Sequence, residues 1–399
     1  MNLKRTLFLS VLTLSSGTSY ADGFGHPKSL NSDNKTFTNP VTLKAGGIIY
    51  DTLSTPSPSP EAVALFRYLQ DMSGKKMISG QMWVPWGIDE LDYVKEVTGK
   101  YPAIRGIDYI HERDNEAETQ YAMDWWNAGG IPTIMWHWGA PSIGEGYINS
   151  KKKIDIRKCF KEGTPEHRDM WAELKLKADH LQKLKDANVP ILWRPFHELN
   201  GDWFWWGKQG PELFEQLWTT MYNYFVLERG LNNLIWVLCY TGEPDADWHP
   251  GAKYVDIVGA DTYDGGSDPQ LKMFKGVRDI IENRKSPIAY HECGTPPDPD
   301  ESFKVGAKWS WWMGWHTTWL KKIDKDYLRK VYNHKLVITL DEVPNIVSVY
   351  GANRVMPFSE SEPSNISAES IAGSTSVKGD EFEIKVGGAD SCDTNDQER

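Results

Sequence analysis

Cysteine is scarce in this sequence, and the spacings that organise metal or redox chemistry are absent from it. Only four cysteines occur among 399 residues, with no C-x-x-C pair and no Cys/His metal-binding spacing. Structural zinc sites need such spacing, so we expect no metal site. Four thiols allow three full pairings, and the spacing of Cys159, Cys239, Cys293 and Cys392 selects none of them. Because Cys239 and Cys293 lie in apolar runs, we predict buried free thiols at both positions.

Long apolar runs are absent as well. A membrane-spanning helix needs about 20 apolar residues, and no segment approaches this length. The short apolar run 7–14 follows two basic residues, Lys4 and Arg5, and a small residue, Ala21, comes shortly afterwards. This order is typical of a secretory signal peptide. We therefore expect cleavage after Ala21 and a secreted or periplasmic mature protein without membrane insertion. No cysteine follows the apolar run, which argues against a lipid anchor.

Basic charge is also in short supply. The chain has 44 lysines and arginines against 55 aspartates and glutamates, a net charge of -11. Removal of residues 1–21, which carry two basic residues and no acidic one, would make the charge -13. Nucleic-acid binding needs clustered lysine and arginine, so we predict no nucleic-acid partner. A neutral polymer fits this composition better.

Polar, irregular segments flank a long central region. Residues 22–60 end in alternating proline and serine, which is a linker composition. Residues 351–399 are acidic, serine-rich and aperiodic, as flexible tails are, and only the pattern at 382–386 resembles a strand. The chain has no internal repeat of about 20–50 residues. We therefore predict a signal peptide at 1–21, an N-terminal segment at 22–60, one folded domain at 61–350 and a flexible tail at 351–399.

Short apolar runs alternate with helical patterns between the two flanking segments. Ser59 before Pro60 marks one helix start, and Pro211 and Gly230 mark the two ends of another helix. Parallel strands buried on both faces read as continuous apolar runs, so eight of them predict a (β/α)8 TIM barrel. A doubly wound sheet is the competing architecture, but the first run lacks the G-x-G-x-x-G turn typical of it. The eight runs are 77–81, 103–108, 131–136, 190–194, 234–239, 255–260, 287–291 and 309–315.

Two glutamates follow predicted strands. Glu198 comes after the fourth run and Glu292 after the seventh. Because the carboxyl ends of barrel strands carry the reactive groups, we expect both to face one site. Cleavage of a glycosidic bond needs one carboxyl group to protonate the leaving oxygen and a second to attack the sugar or activate water. For each glutamate, a structural ion pair with Arg194 or Arg105 is the competing interpretation.

Aromatic side chains cluster at the same strand ends. The sequence contains 19 tryptophans, and their flat faces suit the apolar C–H faces of pyranose rings. Core packing is the alternative for about half of them, because neighbouring residues on a strand point in opposite directions. Polar groups at these ends offer hydrogen bonds to sugar hydroxyls or to the carboxylates. The candidates for substrate binding are His137, His197, Trp203, Trp206, Asp261, Tyr263 and Trp315.

Two segments carry a family resemblance. The first reads Arg-Pro-Phe-His-Glu at 194–198, and the second reads Trp-Phe-Trp-Trp-Gly at 203–207. Together they resemble glycoside hydrolase family 26, most of whose members are endo-β-1,4-mannanases. The likeness extends to Gly-Ala-Asp-Thr-Tyr at 259–263 and His-Glu-Cys-Gly at 291–294, and more loosely over 77–350.

The resemblance implies a (β/α)8 barrel that retains anomeric configuration, with Glu198 as acid/base and Glu292 as nucleophile. Such a mechanism requires no metal or organic cofactor. We therefore expect a monomeric, secreted endo-β-1,4-mannanase acting on β-mannan or a related plant polysaccharide, namely mannan, glucomannan or galactomannan. The resemblance also implies which residues line the subsites beside the bond that is cut: His137, His197, Trp203, Asp261, Tyr263 and Trp315.

The motifs leave other activities open. Members of the same family cut mixed-linkage β-1,3-1,4-glucan or β-1,3-xylan, and an exo-acting mannobiohydrolase is a further alternative. Loops such as 140–161 decide among these activities. A catalytically silent carbohydrate-binding protein is disfavoured because both glutamates are present. A role of the tail in adhesion or sorting is supported only by the strand pattern near Phe382.

Overall fold

Eight parallel strands form a closed ring in this protein. The strands are β1 (Met77–Ile78 and Gly80–Met82), β2 (Ile104–Asp108), β3 (Ile131–Met135), β4 (Ile191–Arg194), β5 (Leu234–Tyr240), β6 (Ile257–Thr262), β7 (Ile288–Cys293) and β8 (Trp311–Gly314). Each pairs in parallel with the next, and β8 closes the ring by pairing with β7 and β1. The predicted (β/α)8 barrel is therefore confirmed. The computed structural model describes residues 43–45, 48–50, 52–110, 115–281, 286–351, 376–378 and 381–383.

Helices and single helical turns connect the strands. The α-helices are α1 (Pro60–Met72), α2 (Glu90–Thr98), α3 (Glu116–Asn127), α4 (Gly146–Ser150), α5 (Pro165–Asp186), α6 (Pro211–Tyr222), α7 (Leu271–Ile280), α8 (Pro299–Val305), α9 (Thr317–Leu320), α10 (Lys325–Tyr332) and α11 (Ile346–Tyr350). Shorter 3-10 segments are Ile156–Phe160, Trp205–Gly207, Ala246–Trp248, Ala252–Tyr254 and Leu340–Glu342.

The two helices with clear end signals begin as predicted. The Ser59 hydroxyl accepts the backbone N–H of Ala62, and Pro60 is the first residue of α1. A capping side chain satisfies one of the free N–H groups at a helix start. α6 begins at Pro211 and continues into a π-helical turn, Asn223–Glu228, before Gly230 takes a φ of 64°.

Each of the eight predicted runs overlaps a barrel strand, because the strands are buried on both faces, although four strands extend one or two residues beyond the predicted run. The first strand is interrupted at Ser79, whose hydroxyl accepts the N–H of Ala103 and donates to the carbonyl of Ile338. This contact brings in a ninth strand, β9 (Val337–Ile338), which pairs with the start of β1. Two residues are too few for an apolar pattern, so the sequence could not predict β9.

Alternation along the strands divides side chains between the barrel interior and the helix layer. On β4, Leu192 packs in a cluster of inward-facing strand residues that also includes residues of α1 and α11, which we call the interior cluster. Trp193 packs instead in the cluster that includes residues of α3, α5 and α6. Arg194 alternates with Trp193 and therefore points inward with Leu192. Cys239 of β5 also belongs to the interior cluster. The charged group of Arg194 thus enters the barrel at its carboxyl end.

The remaining predictions meet the structure only in part. Cys159, Cys239 and Cys293 are buried free thiols, which confirms the expectation for the last two. Within the described ranges, no helix combines the length and the apolar character needed to cross a bilayer. Leu43–Ala45 pairs with Ile48–Tyr50 in one two-stranded sheet.

The strand pattern predicted near Phe382 coincides with a hairpin strand. Ser376–Lys378 pairs antiparallel with Glu381–Glu383. Other predictions lie outside the described residues: the signal peptide 1–21 with its cleavage after Ala21, most of 22–60, Cys392 and the rest of the tail.

Candidate active site

A cleft of about 560 Å³ opens at the carboxyl ends of the barrel strands. Residues that follow β1, β2, β3, β4, β6 and β8 line it, together with residues at the carboxyl ends of β2 and β7. Its volume is typical of ligand sites, which span about 300–1,000 Å³. It brings together most of the residues singled out from the sequence. These are His137, His197, Glu198, Trp203, Tyr263, Glu292 and Trp315.

A register shift in β7 turns Glu292 into the cleft. Between two neighbouring pairs, β7 holds one more residue than β6, and His291 is the extra residue. Such a bulge re-aims the side chain that follows it. β6 makes room for the bulge with Gly259, where a Cβ atom would collide with the carbonyl of Ala289 and the ring of His291.

Both carboxylate oxygens of Glu292 are held by hydrogen-bond donors. Arg194 Nη1 donates to Oε1 over 2.6 Å, and the Tyr263 hydroxyl donates to Oε2 over 2.6 Å. The side chains of Arg194 and Glu292 are each only 2% exposed, so their ion pair is desolvated. Glu292 therefore forms the predicted ion pair with Arg194. The same carboxylate also faces the cleft. Removal of either partner would leave a buried charge uncompensated.

The backbone that presents Glu198 is strained. Phe196 and Glu198 have φ angles of 52° and 53°, left-handed values that cost a non-glycine residue about 1–2 kcal/mol. Dense packing holds this turn, since the Phe196 ring lies among four tryptophan rings. One of them, Trp206, donates its Nε1–H to the carbonyl of His197 over 3.0 Å. The turn projects Glu198 from the end of β4 into the cleft.

The surroundings of Glu198 favour its protonated form. Burial and the negative charge of Glu292 raise the pKa of Glu198 to about 7. Opposing this, Trp203 Nε1 donates to Glu198 Oε2 over 2.5 Å, and the positive charges of His137 and Arg194 lower the pKa by less. Glu198 therefore exchanges its proton near neutral pH, which general acid/base catalysis requires.

A third carboxyl group, that of Asp261, lies beside the two glutamates. One oxygen from each of Glu198, Asp261 and Glu292 lies within 4.8 Å of those of the other two. Burial and the charges of both glutamates raise the pKa of Asp261 well above its usual value, which favours its neutral acid. Three carboxyl groups are the donor type of a cation site, but Arg194 already bonds Glu292 and a neutral Asp261 is a poor ligand. The three carboxyl groups are therefore better suited to proton transfer than to binding a cation.

A hydrogen-bond chain begins at Asp108, the last residue of β2. Its Oδ1 accepts the backbone N–H of His137 over 3.0 Å, and its Oδ2 accepts the ring Nδ1–H over 2.5 Å. The Nε2 atoms of His137 and His197 lie 3.1 Å apart. Burial lowers the pKa of His137, but the charge and hydrogen bond of Asp108 outweigh it and raise the pKa above the usual value. Burial and the positive charge of His137 hold the pKa of His197 well below its usual value.

Aromatic rings line the cleft, although not all of the predicted ones do. Trp203 is 37% exposed and forms one wall, and Trp315 and Tyr263 also face the opening. Trp206 is fully buried, and its ring stacks on Phe204 with centroids 4.5 Å apart. The prediction that Trp206 contacts substrate is therefore corrected: it supports the turn before Glu198 from behind the wall. Asp261, only 3% exposed, likewise lies beside the cleft without lining it.

Several cleft residues escape a reading of the sequence. Tyr147 lies on α4, and Lys151 directly follows that helix. The amine of Lys151 lies 4.1 Å from the centre of the Tyr147 ring. Trp319 on α9 packs against Tyr263 with centroids 4.8 Å apart. Asp108 had a usable signal, because it is a charged residue at the end of an apolar run that predicts a strand.

The arrangement separates the roles of the two glutamates. Arg194 and Tyr263 stabilise negative charge on Glu292, whereas Glu198 sits where a proton can be given and taken back. Between them the cleft offers aromatic faces and hydrogen-bonding groups, which is the combination that sugar rings require. Two carboxyl groups with contrasting environments are the signature of acid/base assignment in glycosidases.

Comparison with known proteins places this site in a family. The sequence model of glycosyl hydrolase family 26 matches residues 54–342. A mannan endo-1,4-beta-mannosidase from Thermothelomyces thermophilus is 32% identical over 312 residues, which cover 73% of this chain and 63% of the relative. Mannan endo-1,4-beta-mannosidase A from Piromyces sp is 31% identical over 315 residues, covering 74% and 51%. The chain thus spans between half and two thirds of the length of these two relatives.

Solved structures agree with this placement. The beta-mannanase from a symbiotic protist of the termite Reticulitermes speratus, in complex with gluco-manno-oligosaccharide, has a TM-score of 0.67 and 34% identity, covering 74% of this chain and 98% of that one. The GH26-CBM35 beta-(1,4)-mannanase of Podospora anserina has a TM-score of 0.67 and 30% identity, covering 74% and 69%. Fold, motifs and family match agree over the barrel, and this chain belongs to glycosyl hydrolase family 26.

Proposed function

We propose that this protein is a retaining endo-β-1,4-mannanase, which cuts internal β-1,4-mannosidic bonds in mannan, glucomannan or galactomannan. The observation that carries the proposal is the approach of Glu198 and Glu292 in one cleft, with carboxylate oxygens within 4.8 Å. Carboxyl groups of retaining glycosidases lie about 5–5.5 Å apart, whereas inverting enzymes need about 6.5–9.5 Å to fit a water molecule. The short separation favours double displacement.

In the first step, Glu292 attacks the anomeric carbon as the bond to the leaving oxygen breaks and Glu198 gives that oxygen its proton. In the second step, Glu198 takes a proton from water, whose oxygen attacks the same carbon and releases Glu292. Tyr263 and Arg194 orient Glu292 in both steps, because each donates to one of its oxygens. Two inversions at one carbon leave the configuration unchanged.

The choice of mannan as substrate draws on the named relatives, which are mannan endo-1,4-beta-mannosidases. The test compares initial rates of the full chain on linear β-1,4-mannan, mixed-linkage β-glucan and β-1,3-xylan. We expect hydrolysis of mannan with the largest kcat/KM. Products from mannohexaose should include several lengths at the earliest time points, since an endo-acting enzyme cuts at several bonds. Mannobiose as the sole early product would show an exo-acting enzyme, and preference for another polymer would refute the mannan assignment.

The pKa of Glu198 sets the pH dependence. Free enzyme must hold Glu198 protonated to act as the acid, so kcat/KM on manno-oligosaccharides should fall as the pH rises through about 7. A dinitrophenyl β-mannoside provides the control, because its leaving group departs without a proton. The alkaline fall should vanish for glycosylation of that substrate. An identical alkaline limb with both substrates would contradict the assignment of Glu198 as the acid.

Trp203 should act as a platform for a sugar ring. We expect Trp203→Ala to weaken manno-oligosaccharide binding, measured by calorimetry, by about 1–3 kcal/mol. Trp203→Phe keeps a flat face but loses the N–H that bonds Glu198, so it should keep most of the affinity. The matched variant Trp206→Ala should instead reduce the free energy of unfolding by about 3–5 kcal/mol, because Trp206 is buried. Loss of stability without loss of affinity in Trp203→Ala would make its ring a packing residue.

The N-terminal pattern supports export as part of the same proposal. A charged start, a short apolar run and Ala21 are consistent with a protein that meets its polymer outside the cytoplasm. N-terminal sequencing of the protein recovered from culture medium or periplasm should begin at residue 22. An intact Met1 in the cytoplasmic fraction would refute export.

A further inference from the structure

Asp108 takes no part in the two displacement steps, and yet it is buried against His137, whose ring contacts His197, the residue before Glu198. Its carboxylate is 7% exposed and accepts two hydrogen bonds from a single residue, His137. Fixing both the backbone and the ring of one histidine leaves that ring a single orientation. Because a carboxylate has no proton to donate, the Nδ1 atom of His137 must carry one.

The contact between the two histidines then has a definite direction. One Nε2 atom must donate to the other, since they lie 3.1 Å apart. With Asp108 behind it, His137 is the ring that can hold two protons, and its Nε2–H donates to His197. His197 accepts on Nε2 and therefore carries its own proton on Nδ1. That Nδ1 atom is buried and finds no hydrogen-bond partner among the described residues.

We propose that Asp108 is a positioning residue for hydrolysis: it holds His137 as a cation, and this cation favours the ionised form of Glu198 across the cleft. The inference deepens the proposed function and depends on it for its kinetic consequence. His137 and Glu198 line the same cleft, and the ring of His137 lies between Asp108 and His197 with a hydrogen bond to each. Asp108 also lines the cleft, but both of its hydrogen bonds go to His137, so the role we assign to it is exerted through His137.

Several other titratable groups surround His137 and Asp108. Tyr147 packs edge-on against the ring at a centroid distance of 5.4 Å. Lys177 of α5 lies near enough to interact with Asp108. The titratable groups that face His137 from the other elements are Glu198 and His197 after β4, Glu292 of β7 and His316 after β8.

The sign of the effect follows from electrostatics. A positive His137 stabilises the ionised form of Glu198 and so lowers its pKa, against the larger effects of burial and Glu292. Loss of that charge would let Glu198 keep its proton to a higher pH. The alkaline limb of kcat/KM would therefore move upward, by about one pH unit.

The test compares Asp108→Asn, which keeps the shape but removes the charge, with Asp108→Glu, which keeps the charge. In Asp108→Asn the alkaline limb of kcat/KM on mannohexaose should rise by about one pH unit. Asp108→Glu should leave the limb near its original pH even if kcat falls. In the His137→Gln background, Asp108→Asn should cause no further shift. A limb that stays in place in Asp108→Asn, whatever the loss of rate or melting temperature, would overturn the proposal.

A second measurement needs no substrate and stays informative if mannan is not hydrolysed. Nitrogen-15 NMR of histidine-labelled protein separates a cationic ring, with two similar nitrogen shifts, from a neutral ring with widely separated shifts. The resonances of His137 are those lost in His137→Gln. They should report a cation at pH 7 in the unmodified protein and a neutral ring in Asp108→Asn. A ring that is neutral in both, or cationic in both, would overturn the proposal independently of activity.

Discussion

Glu292→Ala should lose mannan turnover by at least ~10⁴-fold, because among the described residues Glu292 is the cleft carboxylate that Arg194 and Tyr263 hold in place for attack. Azide should restore cleavage of an activated aryl β-mannoside, since a small anion fits the vacated space and pairs with Arg194. The product should be the α-mannosyl azide, with inverted configuration, because azide attacks from the side that Glu292 occupied. Product configuration is read by NMR of the anomeric proton.

The same substitution tests the ion pair. Removal of Glu292 leaves Arg194 buried without its partner, which costs about 3–5 kcal/mol of stability. Glu292→Gln is the matched variant, because its amide oxygen can still accept from Arg194 while the attacking charge is gone. It should be inactive and more stable than Glu292→Ala. Measurable mannan turnover by purified Glu292→Gln protein would show that Glu292 is not the nucleophile.

Glu198→Ala should block the second displacement step, whereas Glu292→Ala blocks the first. Hydrolysis of mannan should fall by about 10²–10⁴-fold, the usual contribution of a general acid/base group. A dinitrophenyl β-mannoside should still react with Glu292, and the enzyme should stall as the glycosyl intermediate because no base activates water. A burst of dinitrophenol equal to the enzyme concentration would report that intermediate.

Azide distinguishes this variant from the first. It should release the stalled sugar as the β-mannosyl azide, with retained configuration, because the anion enters from the side that Glu198 normally serves. The two variants thus predict azide products of opposite configuration. An α-azide from Glu198→Ala would mean that the roles of the two glutamates are reversed. The exposed Glu301, whose oxygens bond Lys304 on the surface, supplies a control: Glu301→Ala should behave as the unmodified protein.

The barrel could be predicted from the sequence because its strands are buried on both faces. Continuous apolar runs then mark the strands, and polar residues at their ends mark the cleft. The position of Glu292 needed more than this pattern. Its entry into the cleft depends on the bulge at His291 and on the space beside Gly259, which only the pairing of β6 with β7 defines.

The aromatic segment 203–207 shows what sequence patterns cannot predict. Trp203 and Trp206 are equally apolar and belong to the same motif, yet one faces the cleft and the other lies behind Phe204. A 3-10 turn over Trp205–Gly207 makes this difference, and strand alternation cannot anticipate it. The partnership of Asp108 with His137 was invisible for a related reason, because it joins the ends of two strands that the sequence treats separately.

The most direct test of the account is to trap the covalent intermediate. A 2-deoxy-2-fluoro-β-mannosyl fluoride slows both steps and should accumulate the glycosyl-enzyme, because the fluorine destabilises the oxocarbenium-like transition states. Mass spectrometry of the digested protein should find one sugar, attached to the peptide that contains Glu292 and linked to that residue. Attachment at Glu198 or Asp261, or product of inverted configuration with no labelled peptide, would contradict the claim that Glu292 is the nucleophile facing Glu198.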